Sequence, residues 1–105
     1  MLAINKDEGG NVMERLDHLR SKFLPQLAEF LETEKDIVKV LEYVDKLSED
    51  IEKEIKCKPR KEVWQIWKRN CEECESGICY KNCVRMHWCD GTTTESCSPR
   101  WFCLE

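Results

Sequence analysis

All eight cysteines of this chain fall between Cys57 and Cys103, after 56 residues that contain none. They are Cys57, Cys71, Cys74, Cys79, Cys83, Cys89, Cys97 and Cys103. An even count at this density in 105 residues marks a disulfide framework. Such bridges form and persist outside the reducing cytosol, so the expected location is extracellular, either secreted or as the ectodomain of a surface protein. The bridges also explain how the second half folds. A segment that short buries too little apolar surface to offset its chain entropy without staples.

The length predicts one domain, 1–105, with a lead-in over 1–10, a helical hairpin over 11–56 and a cystine-rich module over 57–105. Residues 1–56 carry nine Lys/Arg against fourteen Asp/Glu, and residues 57–105 eight against seven. Neither half has the basic excess of a nucleic-acid binder. No run approaches the ~20 apolar residues of a membrane span, so no membrane insertion is expected. Met1-Leu2-Ala3-Ile4 runs directly into Asn5-Lys6-Asp7-Glu8, which is not a secretory signal; an oxidised destination therefore predicts a leader already removed.

Gly9-Gly10 ends the lead-in, and Asn11 with Glu14 has the form of a capping box. Val12, Leu16, Leu19, Phe23, Leu27 and Phe30 follow at helical spacing, with Pro25 expected to kink or split the helix near Leu24. A second helix is predicted from Thr33, with Asp36 completing its cap and Ile37, Val40, Leu41, Val44, Leu47, Ile51 and Ile55 as its stripe. The joint is short, so the two helices should be antiparallel neighbours. A third helix is predicted after Pro59, because Trp64, Trp67, Cys71 and Cys74 recur at steps of three, four and three. Ser76-Gly77 would end it. Asp90-Gly91 before Thr92-Thr93-Thr94 reads as a tight turn into an extended segment. The fold class expected is therefore mainly α: an antiparallel helical hairpin plus a third helix, with a disulfide-stapled irregular or β C-terminal arm.

Cys71-Glu72-Glu73-Cys74 has the spacing of thiol–disulfide oxidoreductases, but its acidic neighbours and a place at a helix end would raise the thiol pKa. Zinc is the stronger rival, since Cys71, Cys74, Cys79 and Cys83 have spacings able to wrap one ion; only one C-x-x-C is present, however, and the later intervals suit bridges. The histidines are His18 and His87, and no nucleophile motif or phosphate loop occurs. No enzyme and no cofactor are expected. Trp88, Trp101 and Phe102 either pack beneath the bridges or form a contact surface. With Arg85, His87 and Arg100 they are the expected partner-binding residues, because aromatics and arginine dominate interface hot spots.

Laid out in order, Cys71-x2-Cys74-x8-Cys83-x5-Cys89-x7-Cys97-x5-Cys103 resembles the hinge of the Izumo-type sperm surface proteins. Tyr80-Lys81-Asn82-Cys83, Gly91-Thr92 and Ser96-Cys97-Ser98-Pro99-Arg100 share its texture. Residues 1–56 lack the C-x-x-C that opens the family's first helix, and Cys57 and Cys79 are additional. The resemblance implies a helical bundle followed by a cystine-stabilised hinge, at a cell surface, in gamete adhesion or fusion. It also implies that Cys71 and Cys74 pair with Cys97 and Cys103, leaving Cys57, Cys79, Cys83 and Cys89 to pair among themselves. Trp67-x3-Cys71-x2-Cys74-x4-Cys79 is similar to the first cysteine cluster of clusterin. The expected function is an extracellular or cell-surface protein–protein recognition module; the alternatives are a zinc-binding intracellular adaptor and a secreted clusterin-like chaperone.

Overall fold

The computed structural model describes the backbone of residues 2–105 and the side chains of residues 14–105. Its elements are α1 (Leu2–Thr33), α2 (Ile37–Ile55), β1 (Arg60–Arg69), β2 (Ile78–His87), β3 (Thr93–Cys97) and β4 (Phe102–Cys103). α1 takes in residues 2–10, so Asn11 lies within the helix and does not cap it. Val12's expected place on the stripe falls outside the described side chains.

The two helical stripes behave as their spacing demands. Leu16, Phe23 and Leu27 of α1, joined by Leu31, face Val40, Val44, Ile51 and Ile55 of α2 in one buried cluster. Pro25 sits inside α1 without dividing it, and its side chain is exposed. The cap of α2 is Asp36 itself, whose carboxylate accepts from the Val38 N–H at 2.9 Å. α2 ends where Lys56 turns left-handed at φ 57° and returns its N–H to the Glu52 carbonyl.

The third helix is not there. Residues 60–69 form β1, the first strand of a four-stranded antiparallel sheet. The physical reason is that Val63, Trp64, Ile66 and Trp67 crowd β-branched and aromatic side chains into a stretch that β2 pairs along its whole length, from Arg60↔His87 to Arg69↔Ile78. Tryptophans three apart share a helix face but take opposite faces of a strand, so Trp64 and Trp67 part company here. The C-x-x-C lies in the hairpin loop between the strands. That loop is two linked turns, with Cys74 N–H on the Cys71 carbonyl and Gly77 N–H on the Cys74 carbonyl. Gly77, at φ 74°, closes it in a conformation that favours glycine.

β3 and β4 run end to end along the other edge of β2. β3 pairs Cys83 to His87 and β4 pairs Cys79 and Tyr80. Buried Ser98 bridges the gap, donating its N–H to the Asn82 carbonyl and accepting the Asn82 N–H on its hydroxyl. The turn expected at Asp90-Gly91 is present, with Gly91 at φ 88°.

Strand alternation gives the sheet two faces. The inner face carries Val63, Val84 and Met86 into the helical cluster. It also carries Asn82, which donates to the Glu34 and Lys35 carbonyls of the interhelical turn at 3.1 Å each.

The bridges are Cys57–Cys89, Cys71–Cys79, Cys74–Cys103 and Cys83–Cys97, with no cysteine free. Of the pairing that the resemblance implied, Cys74–Cys103 and Cys57–Cys89 agree. Cys71 joins Cys79 and Cys83 joins Cys97, because a hairpin brings together residues at its loop base and cross-strand neighbours. With every sulfur in a bridge, no thiolate remains for a zinc site. Four disulfides mark an oxidising, extracellular or secretory setting. Among the described residues no helix is long and apolar enough to cross a membrane.

Candidate binding face

Among the described residues no helix covers the outer face of the sheet. β1 contributes Glu62, Trp64, Ile66 and Lys68 to that face, and β2 contributes His87, Arg85, Cys83, Lys81 and Cys79. Trp101, just before β4, joins them. Two tryptophans organise the surface. The Arg85 guanidinium lies 5.1 Å from the centre of the Trp64 ring. Lys81 and Lys68 lie 4.8 and 5.5 Å from the centre of the Trp101 ring. Each exposed contact of this type is worth about 0.5–1 kcal/mol, enough to order long side chains that would otherwise sample many rotamers. Ile66, 41% exposed, stands on β1 between Trp64 and Lys68.

An ion-pair network closes one end of the face. Arg85 binds the Glu95 carboxylate at 2.7 Å and also reaches Glu62, which contacts His87. The hydrogen bond from His87, with the nearby charges of Arg85, His87 and Arg60, holds the Glu62 carboxyl below its ordinary pKa. The hydrogen bond to Glu95 raises that of Arg85. At the other end a hollow of about 270 Å³ opens beside Trp101, lined by Lys68, Asn70, Glu72, Glu73 and the bridged Cys71, Cys74 and Cys79. Three disulfides stiffen this surface, since Cys79, Cys83 and Cys103 all occupy outer-face positions.

Of the six residues expected to bind a partner, Arg85, His87 and Trp101 reach this face, and Arg100 is exposed next to Trp101. The structure buries the other two. Trp88 is 4% exposed and meets Phe23 edge-on at 5.5 Å, while Arg20 of α1 covers its ring. Its indole N–H donates to the Thr94 hydroxyl at 2.8 Å. Phe102 packs beside Tyr80 on the inner side. Both are core residues. Sequence reasoning missed Trp64, Ile66, Lys68 and Lys81, assigning the first to a helical stripe. The signal that could have found the first three is the two-residue alternation Glu62, Trp64, Ile66, Lys68.

Comparison with family models, with curated proteins and with solved structures finds no match to this chain.

Proposed function

We propose that the protein is an extracellular recognition module that binds another protein through the outer face of its sheet. The observation that carries this reading is the pair of cation-capped tryptophans, Trp64 and Trp101, on a sheet face that no described helix covers. Aromatic and arginine side chains on a rigid backbone are what interface centres are built from. Bridges that fix the strands lower the entropy cost of binding. The Izumo-type resemblance of the cysteine run supplies the setting within this reading, a cell surface engaged in gamete adhesion or fusion.

The test is binding of labelled protein to gamete surfaces, compared with the Trp64→Ala and Trp101→Ala variants. Both variants should lose at least roughly tenfold in affinity, the effect of removing a hot-spot side chain, with far-ultraviolet circular dichroism unchanged. Undiminished binding by both variants would refute the outer face as the site.

A further inference from the structure

β1 is the open edge of the sheet, since the strand order places β2 on one side of it and nothing on the other. Its main-chain groups can be assigned by alternation. Asn82 and Ile78 of β2 give their main-chain groups to the β3–β4 side, where Asn82 O accepts from Ser98 and Ile78 O accepts from Leu104. The intervening residues of β2, Cys79, Lys81 and Cys83 among them, therefore point theirs toward β1, and in β1 it is Ile66 and Trp64 that answer them. The N–H and C=O groups of Val63, Gln65, Trp67 and Arg69 consequently point out of the sheet, and no described strand pairs with them.

This edge lacks all the usual protections but charge. The strand is ten residues long where about five to six is typical, has no proline, and pairs with β2 one-to-one without a bulge. From Ile66 to Arg69 every residue is exposed, and Trp67 is 50% exposed. What it does carry is charge. Arg60 and Lys61 at one end and Lys68 and Arg69 at the other stand against Glu62 within the strand, and Lys61 is also paired with Asp45 of α2. A second copy of the chain, paired antiparallel about Gln65 along the whole edge, would set Lys61 opposite Arg69 twice, offset by Glu62 opposite Lys68 twice, and so gains nothing from the basic excess. Like charges placed directly opposite destabilise a strand pair. An acidic strand meets the same ends with opposite charge.

We propose that the β1 edge is a docking site for an extended acidic segment of another protein, which adds as a fifth strand with carboxylates at the basic ends and an apolar residue over Ile66 or Trp67. This rests on reading the chain as a recognition module, but uses the edge of the sheet and none of the outer-face tryptophans.

The experiment uses the full chain and a capped ten-residue peptide of alternating Glu and Val, followed by fluorescence anisotropy and by amide hydrogen exchange. Controls are the same peptide with Lys for Glu, and with proline at alternate positions. The Glu/Val peptide should bind and slow exchange at the N–H groups of Val63, Gln65, Trp67 and Arg69, while both controls fail. Arg69→Glu, an exposed residue outside the outer-face contacts, should weaken binding about threefold, the effect of one reversed cross-strand pair. No binding, binding without protection of those amides, or protection of the same amides by self-association without peptide would each overturn the proposal. Failure here leaves the Trp64 and Trp101 test untouched, and failure there leaves this edge open.

Discussion

Asn82 is fully buried in β2, yet its side chain has no orphan atom. Its amide donates to two carbonyls of the interhelical turn, and its oxygen accepts from Gln65 Nε2 at 3.0 Å. Tyr80, two residues earlier, adds its hydroxyl to the Lys35 carbonyl at 3.1 Å. These bonds satisfy a helix-to-helix turn that would otherwise bury bare carbonyls against the sheet. Asn82→Ala leaves the Glu34 carbonyl without its partner and the Lys35 carbonyl with Tyr80 alone, so it should cost about 2 kcal/mol in urea unfolding with the m-value unchanged. A change below about 0.5 kcal/mol would show that water replaces the amide there. None of this was legible beforehand, because a lone asparagine before a cysteine carries no pattern. Trp88 was open to two readings for a related reason. Its composition suits both a core and an interface, and only the approach of Phe23 and Arg20 from α1 decides for the core.

Arg20 also ties α1 to the turn between β2 and β3. It bonds Asp90 at 3.2 Å and the Thr92 hydroxyl at 2.7 Å, while Asp90 accepts the Thr92 N–H. The hydrogen bonds from Thr92, then the one from Arg20 and its charge, hold the Asp90 carboxyl below its ordinary pKa. A depressed carboxyl stabilises the fold above the unfolded value, near 4, and that stabilisation is lost as pH falls through the folded value. Acid unfolding below about pH 4 should therefore be less steep in Asp90→Asn than in the parent; identical acid limbs would sink the assignment. Both helices and this turn could be read from the sequence, since stripes at helical spacing, Asp36 and Asp90-Gly91 are strong local signals. β1 could not. Its two tryptophans and the following cysteines fit a helical stripe, and what favours the strand is a ten-residue partner, β2, that lies beyond the loop. The outer face was hidden with it, because its residues come together only once the two strands are in register.

The buried cluster draws on α1, α2 and β2 together, from Leu16 to Trp88, so neither half of the chain has a complete core. The oxidised protein should melt in a single transition. Near-ultraviolet dichroism, to which the buried Trp88 contributes, and far-ultraviolet dichroism, dominated by the helices, should give one midpoint. Separate midpoints would show that the cystine-rich part stands by itself. Its cysteine count was plain from the start, but the pairing was not, because connectivity follows from which strands become neighbours.

The Cys57–Cys89 bridge, 32 residues apart in sequence, sets how the molecule bears a load applied between its two ends. Tension entering along α2 crosses from Cys57 to Cys89 through sulfur and passes on by way of Cys83 and Cys97, so β1 and its loop lie off the line of force. Only the helices and the last stretch of chain can pay out under pull. Single-molecule extension of the oxidised protein should end about 110 Å shorter than that of the reduced protein, the reach of 32 extended residues. Equal extensions would mean that this bridge does not carry the force. A module tethered between two surfaces would thus surrender its helices while the strands bearing Trp64 and the β1 edge stay folded.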